Sequence, residues 1–76
     1  MDFDHFLTKV KEQFFDEDQP NITADGPFRK MGTYDSLTGM AIIATIEDEY
    51  KVTIPVSDFK QLNTVTELFD YVKNKA

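Results

Sequence analysis

Residues 35–50 read DSLTGMAIIATIEDEY, and this stretch predicts the helix on which the fold depends. Asp35 is a suitable N-cap, because its carboxylate can accept a free backbone N–H of the first turn. The helical pattern stops at the β-branched run 52–54, which leads into Pro55 and away from helical backbone. We therefore expect a helix over residues 36–50. Helical spacing assigns five residues to its core side: Gly39, Ile42, Ile43, Ile46 and Tyr50.

The opposite side of this helix is also partly apolar. Leu37, Met40 and Ala44 form a strip, called here the docking strip, and Glu47 and Asp48 form its acidic rim. A small domain cannot cover both sides of one helix, so the strip predicts a docking surface for a basic, partly apolar partner. A long loop at 16–35 could instead fold over the strip and bury it. The helix pattern alone does not decide between these two arrangements.

The residues before this helix predict one further helix and a long loop. The helix covers residues 3–15, and its apolar stripe consists of Phe3, Leu7, Val10 and Phe14. Residues 16–35 contain an acidic cluster with prolines and glycines, which favour a loop. We expect Ile22, Phe28 and Met31 to attach this loop to the core.

The residues after position 50 predict a short helix at about 57–61, capped by Ser57, and a last helix over about 65–74. Thr64 and Glu67 have the spacing of a capping box, in which a hydroxyl and a carboxylate each bond a free N–H of the first turn. No segment shows the alternation that is typical of a strand. The expected fold is all-α: a small four-helix bundle of three main helices and one short helix, in a single domain over 1–76.

The composition excludes several classes of protein. The chain has 76 residues, no cysteine and a formal net charge of −6 at pH 7. Such a charge repels nucleic acids and anionic membrane surfaces and favours basic partners. No apolar run approaches the roughly 20 residues of a membrane helix, and the acidic N-terminus does not resemble a secretory signal. We expect a cytoplasmic monomer that neither binds nucleic acid nor inserts into a membrane.

Residues suited to catalysis or metal binding are scarce. His5 is the only histidine, it falls in the first turn of the first helix, and so small a bundle has little volume for an active-site cleft. The acidic cluster at 16–18 is similar to the start of a calcium-binding loop. However, the sixth position of that loop is Asn21 instead of Gly, and the twelfth is Pro27 instead of Glu. We therefore expect neither an enzyme nor a metal site.

Ser36 is the first residue of the predicted second helix. Free N–H groups and the helix dipole favour a phosphate ester at that place. A group attached to the Ser36 hydroxyl would also extend along the docking strip. Taken alone, Asp35 and Ser36 are more simply an ordinary cap and first-turn residue.

Around Ser36 the chain resembles the acyl carrier proteins, the phosphopantetheine-bearing carriers of fatty acid and polyketide synthesis. Residues 35–37, Asp-Ser-Leu, match the attachment motif of that family. Further matching segments follow in order at 46–50, 52–55, 63–65 and 68–72, and Phe28 matches the family's loop anchor. The likeness covers about residues 28–73, with the first helix matching in pattern only.

The resemblance implies a carrier and not a catalyst. A phosphopantetheinyl transferase would move 4′-phosphopantetheine from coenzyme A onto the Ser36 hydroxyl, and the thiol of that arm would hold acyl groups as thioesters. Asp35 and Leu37 complete the cofactor-binding motif. Acyl-loading and acyl-processing enzymes with basic patches would dock at the positions of Met40, Ala44, Glu47 and Asp48. The family often shelters the acyl chain inside the bundle, which here suggests Ile43, Ile46, Ile54 and Leu62 as lining residues.

Some positions depart from the pattern of primary fatty acid synthesis. Thr38 and Ala41 stand where many of those carriers have acids, and Tyr34 stands where a small residue usually precedes the motif. Gly32 lies one residue earlier than usual. The leading hypothesis is an acyl carrier for fatty acid biosynthesis. Two alternatives stay open: a dedicated acyl or aminoacyl carrier of a polyketide, D-alanyl or other specialised bacterial pathway, and a non-covalent acidic adaptor.

Overall fold

The computed structural model describes residues 1–75, which form four α-helices. These are α1 (Phe3–Lys11), α2 (Ser36–Tyr50), α3 (Val56–Phe59) and α4 (Val65–Lys75), with short 3₁₀ turns at Gln19–Asn21 and Phe28–Lys30 between α1 and α2. Within residues 1–75 there is no β-strand, and the predicted all-α bundle of three main helices and one short one is confirmed. Ala76, the last residue of the predicted domain 1–76, lies outside the described residues. No helix in the described part of the chain is long and apolar enough to cross a membrane.

The hydrophobic core lies where α1 packs against both α2 and α4. Phe6 of α1 is fully buried there, and its ring meets that of Phe69 edge to face with centroids 5.4 Å apart. The ring of Tyr50, at the end of α2, lies 5.3 Å from Phe6 in a tilted arrangement. Aromatic pairs of this kind contribute about 0.5–1.5 kcal/mol beyond the area that they bury. The core therefore fixes α2 from its inner side and leaves its outer side to solvent.

α1 ends at Lys11, so the predicted extension of this helix to residue 15 is wrong. After Lys11 the chain tightens: the N–H of Gln13 donates to Val10 O at 3.1 Å, and that of Phe14 donates to Lys11 O at 3.0 Å. These three-residue steps take Phe14 off the regular helix and into the core, against Phe28, with ring centroids 6.5 Å apart. The prediction that Phe14 belongs to the core is therefore confirmed, but Phe14 reaches the core from tight turns after α1 and not from the helix itself.

The connection between α1 and α2 is anchored as expected. Ile22 and Phe28 are buried in the core, and Met31 packs against it. Two backbone contacts tie the same connection to the start of α4. Phe28 N–H donates to Asn63 O at 3.1 Å, and Thr66 N–H donates to Ala24 O at 3.0 Å. The long loop thus packs beside α4 and stays away from the outer side of α2.

α3 begins one residue after Pro55, and the prediction that Ser57 caps it is wrong. Pro55 occupies the N-cap position, where its carbonyl accepts the N–H groups of Asp58 at 3.0 Å and Phe59 at 2.9 Å. The fixed φ of proline already suits a helix start, so the chain turns before Ser57 is reached. Phe59 then anchors this short helix in the core.

At the start of α4, the Thr64 half of the predicted capping box is present, whereas Glu67 bonds an N–H that lies before the helix and not one of its first turn. Thr64 Oγ1 accepts the N–H of Glu67 at 3.1 Å, and the Glu67 carboxylate in turn accepts the N–H of Asn63 at 2.6 Å. Two turns further along α4, the phenolic O–H of Tyr71 donates to the carboxylate of Asp58 in α3 at 2.6 Å. This hydrogen bond is the first cause of the raised pKa of Tyr71, because it favours the neutral phenol. The hydrogen bond between Tyr71 and Asp58 thus joins α4 to α3.

Candidate functional site

Ser36 is the first residue of α2, and its side chain is exposed. Asp35 caps the helix: its Oδ1 accepts the backbone N–H of Thr38 at 3.0 Å and the Thr38 hydroxyl at 3.2 Å. The carbonyl of Asp35 accepts the N–H of Gly39 at 3.1 Å. Within residues 1–75, the N–H groups of Ser36 and Leu37 are left without an acceptor at the positive end of the helix dipole.

The inner side of α2 largely follows the sequence pattern. Gly39, Ile42 and Ile46 are buried, while the predicted core residues Ile43 and Tyr50 are only half-buried. Thr38, a polar residue of the same helix, is also buried. Its two hydrogen bonds to Asp35 explain this, since they satisfy the polar groups of Thr38 and allow its methyl group to face inward.

The docking strip is exposed, so the alternative in which the loop covers it is wrong. Leu37 keeps 77% and Met40 54% of their surface accessible, and Ala44 is also exposed. Both acidic residues of the rim, Glu47 and Asp48, are exposed too. Together with Ala44, Thr53 and one cation, Lys51, they line an open groove of about 540 Å³. The outer side of α2 therefore presents an apolar centre with a negative edge.

Phe15 extends the apolar surface beyond α2, and the sequence reading missed it. Its side chain is 65% exposed, and it lines a second groove of about 310 Å³ with Asp35 and Leu37. The helical period assigned Phe14 to the core, which left its neighbour Phe15 on the outside as the available signal. An exposed phenylalanine next to Leu37 enlarges the apolar surface around Ser36.

A small cavity of about 140 Å³ opens beside Ser36, between α2 and α3. Its lining consists of Arg29, Tyr34, Ser36, Gly39, Met40, Ile43, Val56, Phe59 and Lys60. Of the residues proposed for sheltering an acyl chain, only Ile43 is among them. Ile46 and Ile54 are buried in the core, and Leu62 packs against the core. The cavity is thus shallower than the sequence reading suggested.

Arg29 connects three parts of the chain next to this cavity. Its Nη1 donates to the Tyr34 hydroxyl at 3.0 Å, and its Nε and Nη2 donate to Leu62 O at 3.1 and 2.9 Å. Nη2 also donates to Phe59 O, and the guanidinium lies over the Phe59 ring, 4.6 Å from its centroid. Five donors in a planar fork make such multiple bonding specific to arginine. Arg29 therefore fixes both Tyr34 and the end of α3.

The histidine and the acidic cluster both make contacts between distant parts of the chain. His5 lies near the end of α2, with its Nδ1 2.7 Å from the Tyr50 hydroxyl. In the acidic cluster, Asp18 accepts the backbone N–H of Thr33 at 2.9 Å and thus holds the loop together. In the part of the chain that the structure describes, no group of three or more His, Cys, Asp or Glu side chains is placed to hold a metal ion.

Comparison with known proteins gives the family. A family profile described as a phosphopantetheine attachment site matches residues 6–72. An acyl carrier protein of Thermosynechococcus vestitus is 30% identical over 78 aligned positions, which cover 99% of this chain and 96% of the relative. The chain belongs to the acyl carrier protein family. An acyl carrier protein of Rubrobacter xylanophilus is 31% identical, over 95% of this chain and 93% of the relative.

Membership of the acyl carrier protein family confirms the resemblance drawn from residues 28–73. Acyl carrier proteins are carriers and not catalysts, and their cofactor is phosphopantetheine. The chain is therefore a non-enzymic phosphopantetheine-dependent carrier. The matched region begins at residue 6 and so includes most of α1, where the sequence had given only a similar pattern.

Proposed function

We propose that Ser36 carries the phosphopantetheine arm and that the chain is an acyl carrier in fatty acid biosynthesis. The observation that supports this most directly is the exposed Ser36 side chain at the start of α2, beside a cavity and the docking strip. A phosphate ester on Ser36 would lie next to the N–H groups of Ser36 and Leu37, which lack acceptors within residues 1–75. Such groups stabilise a phosphate's negative charge. The residues present therefore suit the group.

Attachment requires coenzyme A and a phosphopantetheinyl transferase. Ser36 Oγ forms a bond to phosphorus, the diphosphate bond of coenzyme A breaks, and the hydroxyl proton is released as the adenosine bisphosphate half leaves. The bound arm supplies the thiol that holds acyl groups as thioesters, and the chain has no cysteine thiol of its own. Asp35 keeps Ser36 in place by capping the first turn, and Leu37 offers an exposed apolar contact.

Partner enzymes dock on the outer side of α2 in this proposal. Met40 and Ala44 supply apolar contact, and Glu47 and Asp48 attract basic patches on the transferase and on acyl-loading and acyl-processing enzymes. We propose that the chain works as one carrier domain and as a monomer. Nucleic acids and membrane insertion have no part in the proposal. The proposal includes a cytoplasmic location.

The test is an intact-mass measurement after incubation with coenzyme A and a transferase of broad specificity. We expect a gain of one phosphopantetheine group. Peptide fragmentation should place it on Ser36 and not on Ser57, the other serine of the chain. A non-covalent adaptor would keep its mass with each of several transferases that modify a known carrier in parallel. That result would overturn the proposal.

A dedicated acyl or aminoacyl carrier is the second candidate pathway. Thr38 and Ala41 leave the first turns of α2 without a further acid after Asp35, so the docking face is less negative near Ser36 than at Glu47. Loading assays distinguish the pathways. Fatty acid biosynthesis predicts that the modified protein accepts malonyl groups from a malonyl transferase, whereas an aminoacyl carrier accepts D-alanine from its activating enzyme. Loading with D-alanine alone would move the assignment to the second candidate.

Reversing the charge of the acidic rim should slow docking. The double variant Glu47→Lys/Asp48→Lys removes the attraction for a basic patch, and we expect the transferase to act on it about tenfold more slowly at low salt. The difference should shrink as salt screens the charges. The measurement is the initial rate of modification at a series of salt concentrations.

The matched control for this variant is Asp25→Lys/Asp70→Lys. It changes the net charge equally at two exposed residues outside α2: Asp70 of α4, and Asp25 in the loop that packs beside the start of α4. At about 0.1 M salt its rate should equal that of wild type within about twofold, because charges more than a Debye length of about 10 Å from the contact are largely screened. Equal slowing in both double variants would instead assign the effect to net charge and contradict a docking role for Glu47 and Asp48.

Asp35 offers a test of its own, because its carboxylate both caps α2 and carries charge. Asn caps a helix as well as Asp does, whereas Ala does not and costs about 1 kcal/mol. If capping is its contribution, Asp35→Asn should be modified at nearly the wild-type rate and Asp35→Ala much more slowly. Equal loss in both variants would contradict this, since it would mean that the negative charge is needed.

A further inference from the structure

The cavity beside Ser36 ends at Gly39, a place called here its inner end, where the Tyr34 hydroxyl fills the space in front of the glycine. A Cβ atom built on Gly39 would lie only 2.7 Å from that hydroxyl and 3.2 Å from the Phe59 ring. Tyr34, α2 and α3 therefore meet with no free space at this point, and only glycine fits in α2 there. Behind Gly39, the side chains of Ile42 and Ile46 are completely buried.

Tyr34 is held in this place from two sides. Arg29 donates to its hydroxyl at 3.0 Å, and Arg29 is itself fixed by the carbonyls of Leu62 and Phe59. The Tyr34 ring packs on those of Phe14 and Phe28, with centroids 6.1 and 5.9 Å away. Moving Tyr34 aside would break these contacts together, so it is a fixed wall and not a mobile side chain.

The space in front of Tyr34 is small. An apolar cavity of about 150 Å³ accommodates a benzene molecule, so about 140 Å³ holds about six carbon atoms. Ser36 lines the same cavity, and cargo tethered to Ser36 reaches it at a high effective concentration. A flexible arm thus favours occupation by the cargo over any free apolar molecule.

We propose that Tyr34, held by Arg29, is a specificity-determining residue that limits the sheltered part of the cargo to about six carbon atoms. This inference rests on the proposed attachment at Ser36. Cargo of up to that length is covered by Met40, Ile43 and Phe59, while the remainder of a longer chain stays in solvent. Each methylene that enters an apolar site shifts the balance of sheltered to free cargo by about fourfold. The stability of the loaded protein should therefore rise with cargo length up to about six carbon atoms and then stay constant.

The test loads the full chain with butyryl, hexanoyl, decanoyl and dodecanoyl arms, which a transferase of broad specificity takes from the corresponding acyl-coenzyme A. Two readouts are followed: the melting temperature, and the NMR chemical shifts of the Gly39 and Ile43 amides. In wild type we expect both to change up to hexanoyl and then to stay level. In Tyr34→Leu, which opens the inner end, both should keep changing through decanoyl.

Tyr50→Leu is the matched control, because it shortens a half-buried tyrosine of α2 that does not line the cavity. It should level off at hexanoyl, as wild type does. If Tyr34→Leu is poorly folded, Tyr34→Phe removes only the hydroxyl and should move the plateau to a longer cargo by a smaller step. A wild-type response that continues through dodecanoyl, or the same plateau in every folded Tyr34 variant, would overturn the inference. Failure of the protein to load at all would overturn the attachment proposal, which the mass measurement detects separately.

Discussion

Replacing Ser36 by alanine should abolish modification by phosphopantetheine completely, which is the largest effect expected of any single substitution in this chain. The hydroxyl oxygen is the atom that forms the bond to phosphorus, and alanine has no group to replace it. The fold should be unaffected, because Ser36 is exposed and alanine is a better helix former than serine. The measurement is the intact mass after incubation with coenzyme A and transferase.

Ser57→Ala is the matched control for Ser36→Ala. The chain has only these two serines, and both are exposed in the first turn of a helix. Ser57→Ala should gain one phosphopantetheine group at the wild-type rate. Circular dichroism should give the same helical content for both variants, so that loss of mass gain cannot be assigned to unfolding. Modification of a folded Ser36→Ala protein would place the attachment at another residue and refute the assignment.

The structure also explains which features the sequence could predict. α2 was predictable because its bounds depend on local signals, namely the cap at Asp35 and the run that leads to Pro55. The cap that Thr64 forms on α4 is equally local and is present, although Glu67 accepts the N–H of Asn63 instead of one in the first turn. The docking strip could be predicted because α2 has apolar residues on both of its sides. The sequence did not show whether the 16–35 loop covers the strip, and the packed structure places the loop elsewhere.

Apart from the local cap at Pro55 and the exposed Phe15, the features that the sequence missed depend on contacts between distant residues. Arg29 bonds to Leu62, which lies 33 residues further along the chain, and no local pattern marks such a pair. α1 ends early because Phe14 packs on Phe28, which is again a tertiary contact overriding helix periodicity. Tyr34 was noted only as a bulky departure next to the motif. Its place against Gly39, which sets the depth of the cavity, required the packed structure.

Arg29→Met should destabilise the protein by about 3 kcal/mol, the largest loss of folding free energy that we expect from a residue near the site. The substitution keeps an apolar stem but removes every donor, so the carbonyls of Phe59 and Leu62 lose their charged partner. For a domain of this size, such a loss lowers the melting temperature by roughly 15 °C. The measurement is urea and thermal unfolding followed by circular dichroism.

Two further variants distinguish loss of the Arg29 hydrogen bonds from loss of its positive charge as the cause of the destabilisation. Lys30→Met changes an exposed neighbour in the same 3₁₀ turn, with the same loss of charge, and should alter stability by less than about 0.5 kcal/mol. Arg29→Lys keeps the charge but not the planar fork, so it should recover only a minor part of the loss. If Arg29→Met and Lys30→Met were equally stable, the network around Arg29 would contribute nothing to the fold.

The bond between Arg29 and Tyr34 can be measured by a double-mutant cycle, which links this stability to the cavity. Tyr34→Phe removes the acceptor of the Arg29 Nη1 bond and leaves the aromatic packing in place. If the two residues act as one unit, the double variant Arg29→Met/Tyr34→Phe should be less destabilised than the sum of the single variants by about 1 kcal/mol. Additive losses of folding free energy would mean that Arg29 stabilises the position of α3 but not that of Tyr34. Tyr34 would then keep its position by ring packing only, and Arg29→Met would leave the cargo plateau unchanged.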